Sequence, residues 1–274
     1  MAITYYAQTA NEKHWSAHWG RQQLSHLLAI AARDPLSRHL EAHLPTSGPI
    51  LEGGCGLGQY VVYFRERGYD IIGGDFSPTA LHIHRRIYPS SPLLNLDLRR
   101  MPFADGTFPG HISLGVIEHM VHGPQELLRE FYRTLNPGGT LLVSVPWVNG
   151  ARRLLGRLIR RRQAERRAAG ATFYQYAFTR RELRGYLGEA GFTVCACHPY
   201  SPGRGLREIL RLLRPARRDS ATAATPGESV GARLPRPPRR GAATAPLRHL
   251  LYTPPVLWTF AHMILAVARK PVGG

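Results

Sequence analysis

The sequence predicts an α/β fold built on a mostly parallel, doubly wound sheet. Short apolar segments of strand length alternate with amphipathic segments of helix length between residues 45 and 200. Several apolar segments end in glycine or acidic residues, and Ser77 followed by Pro78 is a typical start for a helix. Repeated strand, helix and strand units of this kind form parallel sheets. With 274 residues, the chain is long enough for one such core with additional segments.

Residues 1–44 are predicted to form an N-terminal helical cap. Trp15 and Trp19 are four residues apart, so they share one face of a helix. That helix either packs on the core or covers a ligand, and the sequence leaves both alternatives open. Asp34 and Pro35 are typical of a helix start. The predicted helices of this part are 22–32 and 35–43.

Residues 45–200 supply the elements of the core. Gly68 ends the first core helix where a left-handed residue is favoured. Thr179 and Glu182 form a capping box at the start of the last one. The predicted strands are a short one ending at Leu51, then 69–74, 93–98, 111–116, 140–145 and 192–198. The helices are 58–67, one from 78, 124–135, 152–167 and 179–191.

Residues 201–260 are predicted to be a basic, partly disordered insert. The stretch 214–245 is rich in Pro, Ala, Gly and Arg and has almost no large apolar residues, a composition typical of disorder. Short helices are predicted on either side, at 206–213 and 247–260. Residues 261–274 complete the core with a final strand, 262–269, and a tail.

A glycine cluster after the first strand predicts a nucleotide-type binding loop. Glycines at 54, 56 and 58 allow a tight turn and a close approach of the backbone to a ligand. A dinucleotide fingerprint would place its third glycine at 59, where this chain has Gln59. Glu52 precedes the cluster and would repel a pyrophosphate. The loop therefore suits a ligand with hydroxyl groups and a positive charge.

An acidic residue follows the second strand at the corresponding edge of the sheet. Asp75 lies 23 residues after Glu52, where a mononucleotide-binding fold places a carboxylate on ribose hydroxyls. Adjacent parallel strands end at the same edge, so the two carboxylates should be close together. Asp97 near the end of the third strand is a further candidate.

The charge of the chain leaves its partners open. It has 36 basic and 18 acidic residues, a net charge of +18, which by itself would favour nucleic acid or an anionic membrane. Lys13 and Lys270 are its lysines, so 36 − 2 = 34 basic residues are arginines. Because coding bias explains such a skew at least equally well, the charge does not favour a nucleic-acid partner over a small-molecule acceptor.

The cysteines and termini favour a reducing, cytoplasmic location. Cys55, Cys195 and Cys197 form neither a disulfide framework nor a zinc motif, and we see no secretory signal. The apolar segment 250–268 approaches membrane-spanning length but is interrupted by two prolines and His262. We expect no membrane span, and leave open a peripheral membrane contact through the basic and apolar insert.

Five motifs in order make the sequence resemble the class I S-adenosylmethionine-dependent methyltransferases, of the small-molecule, type 11-like group. The likeness covers about residues 45–200 and the last strand. It implies a Rossmann-like, seven-stranded, mostly parallel sheet with helices on both faces and an antiparallel last strand. The motifs are Leu51–Gly58, Gly74–Ser77, Asp97 with Met101–Gly106, Gly115–His119 and Leu135–Gly139.

The resemblance also implies S-adenosyl-L-methionine as cofactor and assigns residues to it. The glycine loop would hold the methionine part, with Glu52 supporting its amino group or the loop. Asp75 would bind the ribose hydroxyls and Phe76 would lie against adenine. Asp97 and Leu98 would meet the adenine edge, and Gly115 would face the sulfonium. The implied cofactor residues are Glu52, Gly53, Gly54, Gly56, Gly58, Asp75, Phe76, Asp97, Leu98 and Gly115.

The acceptor side is predicted from position relative to the fourth strand. His119 is the candidate base, with Glu118 beside it, although either could instead be structural. Residues 150–178 should form a roof over the acceptor, in which Tyr174 and Tyr176 could bind it. Quinone-pathway O-methyltransferases carry an additional Glu linked to a divalent cation where this chain has Gly115, so we expect no metal.

We therefore expect an enzyme that methylates a small molecule, at oxygen. Two alternatives remain: an RNA methyltransferase, and a scaffold that binds the cofactor without turnover. The sequence identifies neither the acceptor nor the methylated atom, and it leaves the oligomeric state and the role of the insert open.

Overall fold

The computed structural model describes residues 1–213 and 250–273. The strands are β1 (Ile3–Ala7), β2 (Ile50–Gly53), β3 (Ile71–Asp75), β4 (Leu93–Asn95), β5 (Phe108–Leu114), β6 (Leu135–Pro146), β7 (Thr172–Ala177), β8 (Thr193–Tyr200) and β9 (Met263–Arg269). The helices are α1 (Glu12–Trp19), α2 (Leu24–Ala31), α3 (Pro35–Glu41), α4 (Gln59–Arg65), α5 (Pro78–Ile87), α6 (Gln125–Thr134), α7 (Gly150–Leu154), α8 (Gly156–Ala168), α9 (Arg180–Glu189), α10 (Pro202–Leu213) and α11 (Pro254–Phe260), with a 3₁₀ turn at Ile117–His119. The predicted disordered stretch 214–245 lies outside the described residues.

The main sheet has seven strands among the described residues, in the order β4-β3-β2-β5-β6-β9-β8. The pairs from β4 to β6 are parallel, and β9 runs antiparallel to both of its neighbours, β6 and β8. This arrangement confirms the predicted mostly parallel sheet with an antiparallel last strand. The order reverses between β2 and β5, so their carboxyl ends open into a crevice of the kind that binds ligands in such sheets.

Successive strand residues point to opposite faces, and each face has its own core. Ile50 packs in a cluster with Leu40 of α3 and Phe64 of α4. Its neighbour Leu51 packs in the other cluster, with Phe131 of α6. The short strand β2 is buried throughout, and helices cover both faces, as predicted. Two-sided burial explains why it consists of continuous apolar residues rather than an alternating pattern.

A second, two-stranded sheet was not predicted. β1 pairs with β7 in antiparallel register, from Ile3 opposite Ala177 to Ala7 opposite Thr172. The N-terminal segment therefore begins with a strand before its helices. Because this pairing joins residues about 170 positions apart, no local pattern could reveal it. It attaches the N-terminal part of the chain to the predicted roof.

No helix within residues 1–213 and 250–273 combines the length and apolarity needed to cross a membrane. The segment 250–268, which approaches that length in the sequence, contains α11 and most of β9 instead.

Candidate active site

The glycine loop between β2 and α4 is held in left-handed backbone conformations. Gly54, Gly56 and Gly58 have φ angles of 76°, 55° and 69°. A Cβ added at Gly54 would lie 2.3 Å from Val116 Cγ2, and one at Gly58 would lie 2.9 Å from His84 Nδ1. The loop is thus tightly enclosed, and its glycines are required by both conformation and space.

Asp75 links the glycine loop to the end of β3. Its Oδ2 accepts a hydrogen bond from the Gly56 N–H, and its Oδ1 accepts one from the Ser77 N–H, both at 2.8 Å. The carboxyl is buried, and burial raises its pKa above the usual value. A carboxylate can accept about four hydrogen bonds, so capacity remains for ligand hydroxyls. The predicted closeness of the two strand ends is observed.

Glu52 lies beneath the loop and is 2% exposed. Burial raises the pKa of its carboxyl to about 8, against a backbone hydrogen bond from Val61 that lowers it. Its Oε2 is buried without a hydrogen-bond partner among the described residues. Glu52 thus contacts the first turn of α4 with one side and retains one unused acceptor.

The residues predicted to surround an adenine ring differ in their exposure. Phe76 is 42% exposed, as a ring available to a ligand would be. Leu98 is buried and lies 3.0 Å from an ideal Cβ at Gly53, so it helps to close the floor of the loop. Asp97 faces outward and forms an ion pair with Arg99 at 2.6 Å, and that arginine lowers its pKa. Of the two aspartates predicted to bind the cofactor, Asp75 contacts the loop, while Asp97 pairs with Arg99.

The end of β5 carries Gly115, Glu118 and His119. Gly115 has a φ of 74°, and an ideal Cβ there would lie 3.6 Å from Glu118 Oε1. Glu118 is 2% exposed, burial raises its pKa to about 8, and its Oε2 has no partner among the described residues. At neutral pH this carboxyl is mostly protonated, so it can donate as well as accept a hydrogen bond.

His119 is oriented by a contact with β7, which lies in the predicted roof. Its Nδ1 lies 2.8 Å from the Tyr174 carbonyl oxygen. A carbonyl only accepts, so Nδ1 carries the proton and Nε2 has the free lone pair. Burial lowers the pKa of His119 to about 4, so the ring is neutral at physiological pH.

The two predicted acceptor tyrosines occupy different positions on β7. Tyr174 is buried, and its ring centroid lies 5.0 Å from that of His119. Tyr176 is half-buried, and its hydroxyl donates to the Val121 carbonyl at 3.0 Å. Both therefore bind the roof to the segment that follows β5, and Tyr174 is the one in contact with His119.

Helix α1 lies across the site, a position that its sequence left undecided. Trp19 approaches so closely that its Cζ2 would be 2.3 Å from a Cβ at Gly56. Trp15 packs edge-on against His119, with ring centroids 5.0 Å apart. The Ser16 and Ser77 hydroxyls are 3.2 Å apart. One helix thus covers both the glycine loop and the acceptor side.

Comparison with known proteins gives a match to the methyltransferase domain family over residues 51–143. YqeM of Bacillus subtilis, a methyltransferase by name, is 30% identical over 126 residues, covering 43% of this chain and 51% of the relative. A ubiquinone/menaquinone biosynthesis C-methyltransferase of Desulfotalea psychrophila is 29% identical over 136 residues, covering 47% of this chain and 54% of the relative. The chain thus spans about half the length of these relatives.

Solved structures share the fold. An S-adenosylmethionine-dependent methyltransferase from Mesorhizobium loti aligns with a TM-score of 0.52 and 18% identity, covering 85% of this chain and 96% of that chain. The sequence match coincides with β2 to β6, which carry the glycine loop, Asp75 and His119. Residues 51–143 of this chain therefore match the methyltransferase domain family, and its fold is shared with solved S-adenosylmethionine-dependent methyltransferases.

Proposed function

We propose that the protein transfers a methyl group from S-adenosylmethionine to an oxygen atom of a small-molecule acceptor. The observation that carries this proposal is the placement of α1, which contacts Gly56 through Trp19 and His119 through Trp15. Cofactor loop and acceptor base are thereby enclosed under one cover. Methyl transfer is an in-line displacement that depends on alignment and exclusion of water, which such an enclosure provides.

The residues at the strand ends fit the cofactor. Because the loop glycines carry no Cβ, a methionine portion can approach their backbone closely. The unpaired Glu52 Oε2 can accept from its amino group, whose positive charge favours the ionised form of this carboxyl. The remaining acceptor capacity of Asp75 suits the two ribose hydroxyls, and Phe76 offers an exposed ring to adenine. Asp97 could reach the adenine edge only in exchange for its ion pair with Arg99. The cofactor supplies an electrophilic methyl group on a positively charged sulfur.

His119 is the proposed base for the acceptor hydroxyl. The Tyr174 carbonyl fixes the tautomer, so Nε2 is available to accept the hydroxyl hydrogen bond and then its proton. A pKa of about 4 makes His119 a weak base, suited to a proton that is lost as the methyl group is transferred. Glu118, protonated at neutral pH, can donate a second hydrogen bond to the acceptor.

Replacing His119 by Asn tests this role. The Asn amide can still donate to the Tyr174 carbonyl, but it has no group equivalent to Nε2. We expect kcat for labelled methyl transfer to extracted small molecules to fall by about 10²- to 10⁴-fold, with cofactor affinity unchanged. In the wild type, the low pKa should keep His119 active down to about pH 5.

The matched control is His122→Gln, because His122 is exposed three residues further along the chain. Mass spectrometry of the labelled product would identify the acceptor and the methylated atom. Full activity in His119→Asn would remove His119 as the base. A label on carbon or nitrogen would refute transfer to oxygen, and a label in RNA would favour the RNA methyltransferase alternative.

Peripheral contact with an anionic membrane is a further proposal, supported by α10. Leu210 and Leu213 are 52% and 56% exposed, and Arg211 between them is exposed as well. Apolar side chains beside cations favour the interface of an anionic bilayer.

Co-sedimentation with vesicles tests the membrane proposal. Leu210→Asp should weaken binding to phosphatidylglycerol vesicles about tenfold. It removes an apolar side chain that would be buried in the bilayer, and it adds a negative charge that the anionic lipids repel. Leu94→Asp, at the far edge of the sheet, should have no effect. Equal sedimentation of the wild type with phosphatidylcholine and phosphatidylglycerol would contradict the proposal.

A further inference from the structure

Arg204 lies in the first turn of α10, and the chain fixes this turn firmly. Ser201 just before it has a φ of 59°, a left-handed conformation that non-glycine residues seldom adopt. Its carbonyl accepts a hydrogen bond from the His262 N–H at 3.3 Å. Gly205 packs so closely on the Phe260 carbonyl oxygen that a Cβ would overlap it. The backbone position of Arg204 is therefore set by contacts on both sides.

The acidic residue that would normally pair with Arg204 is already engaged. Glu208 is four residues later, a spacing that favours an ion pair on a helix. Its Oε2 instead accepts from the buried Arg152 and lies 2.9 Å from His262 Nδ1. The Tyr5 hydroxyl also donates to Glu208, at 3.3 Å. Two arginines thus share one carboxylate, and Arg152 holds it.

Arg204 consequently has no hydrogen bond or ion pair within residues 1–213 and 250–273. The side chain is partly buried, and its Nε is fully buried without a partner. An arginine is always charged, and burying such a charge without a partner is unfavourable. Among the described residues, Arg204 therefore has a longer-range attraction to Glu208, whose Oε2 is bound by Arg152, and no anion in direct contact.

The other ionisable groups near Arg204 in the described part of the chain do not supply an anion in contact with it. It interacts electrostatically with Glu118, Tyr174 and Tyr200, but none of them is within ion-pair or hydrogen-bond distance. Burial raises the pKa of all three, which leaves Glu118 mostly protonated and the tyrosines neutral. His262 is also neutral, because burial lowers its pKa to about 3.

We propose that Arg204 binds a carboxylate group of the methyl acceptor. A guanidinium presents a planar fork of donors that matches a carboxylate. Glu118, whose Oε2 likewise lacks a partner among the described residues, and Tyr174, whose ring centroid lies 5.0 Å from that of His119, both interact electrostatically with Arg204. The acceptor class is therefore a small acid that also carries a hydroxyl, held by its carboxylate while the hydroxyl meets His119. This assignment rests on the proposed methyltransferase function.

Calorimetry with paired acids and amides tests the assignment. The full-length protein is first titrated with S-adenosylhomocysteine, and the saturated protein is then titrated with 4-hydroxybenzoate, hexanoate and acetate and with the amide of each. We expect at least one acid to bind at least tenfold more tightly than its amide. Arg204→Gln should abolish that preference, and Arg204→Lys, which keeps the charge but not the fork, should retain part of it.

Arg207→Gln is the matched control, because Arg207 is exposed on the same helix, and it should leave the preference unchanged. Circular dichroism and thermal melts establish whether each variant is folded. If Arg204→Gln does not fold, the comparison of acid with amide is made with Arg204→Lys instead. If the wild type binds S-adenosylhomocysteine but prefers no acid, or if Arg204→Gln keeps the preference, the role of Arg204 is refuted while the methyltransferase proposal stands. Failure to bind S-adenosylhomocysteine would refute both.

Discussion

Gly56→Ala is expected to lower cofactor affinity by about 100-fold, roughly 2.7 kcal/mol of binding free energy. The new Cβ would lie 2.3 Å from Trp19 Cζ2, so either the loop or α1 must move. The φ of 55° at this position adds about 1 kcal/mol of backbone strain for a non-glycine residue. Calorimetric titration with S-adenosylhomocysteine measures the loss.

Gly68→Ala is the matched control for Gly56→Ala. Gly68 has a φ of 85°, but no atom lies within 4 Å of an ideal Cβ. It should therefore lower the free energy of unfolding by about 1 kcal/mol and leave cofactor affinity unchanged. In a Trp19→Ala background the effect of Gly56→Ala should shrink, because the two side chains no longer collide. Additive effects of the two substitutions would contradict the contact between α1 and the loop.

Asp75→Asn is expected to abolish measurable cofactor binding, a loss of at least about 100-fold. The amide keeps the shape of the carboxylate, but its NH₂ group would face the N–H of either Gly56 or Ser77. One backbone donor would lose its acceptor, and an unsatisfied buried donor costs about 1–3 kcal/mol. The ribose hydroxyls would also lose an acceptor. The loss is measured by the same calorimetric titration, with thermal melts to follow stability.

The control for this substitution is Asp97→Asn, which changes the second predicted carboxylate. Asp97 is about half exposed and paired with Arg99, so its replacement should change cofactor affinity by less than about threefold, in line with the small value of exposed ion pairs. An Asp75→Asn variant with wild-type affinity would refute the ribose site. Equal losses of cofactor affinity in both variants would instead indicate that Asp97 contacts the adenine ring.

The features that the sequence predicted are those set by neighbouring residues. Glycines at 54, 56 and 58 adopt left-handed conformations because the turn from β2 into α4 requires them. Asp75 reaches this loop because parallel neighbouring strands must end at the same edge. The mostly parallel sheet follows from the same repeated units, since crossover connections allow few other arrangements.

The structure distinguishes two aspartates that were both assigned to the cofactor, Asp75 to the ribose hydroxyls and Asp97 to the adenine edge. Asp75 follows the second predicted strand and Asp97 lies near the end of the third, but Asp75 turns inward to the Gly56 N–H while Asp97 turns outward to Arg99. No local pattern distinguishes these orientations, because they depend on which neighbouring groups offer donors. The spacing of Trp15 and Trp19 likewise predicted that they share one face of a helix. Whether this helix packs on the core or covers the ligand site depended on its position in the tertiary structure.

The sequence by itself determined the mostly parallel sheet and the left-handed glycine loop, because these depend on short motifs whose geometry is local, and its resemblance to a family implied the class of cofactor. The tertiary structure decided how distant segments combine. In the structure β1 pairs with β7, and Trp19 packs against Gly56. Glu208 accepts a hydrogen bond from Arg152 rather than from Arg204. Each of these contacts joins residues that are far apart in the chain, and tertiary packing decides which of the possible partners lie close enough to interact.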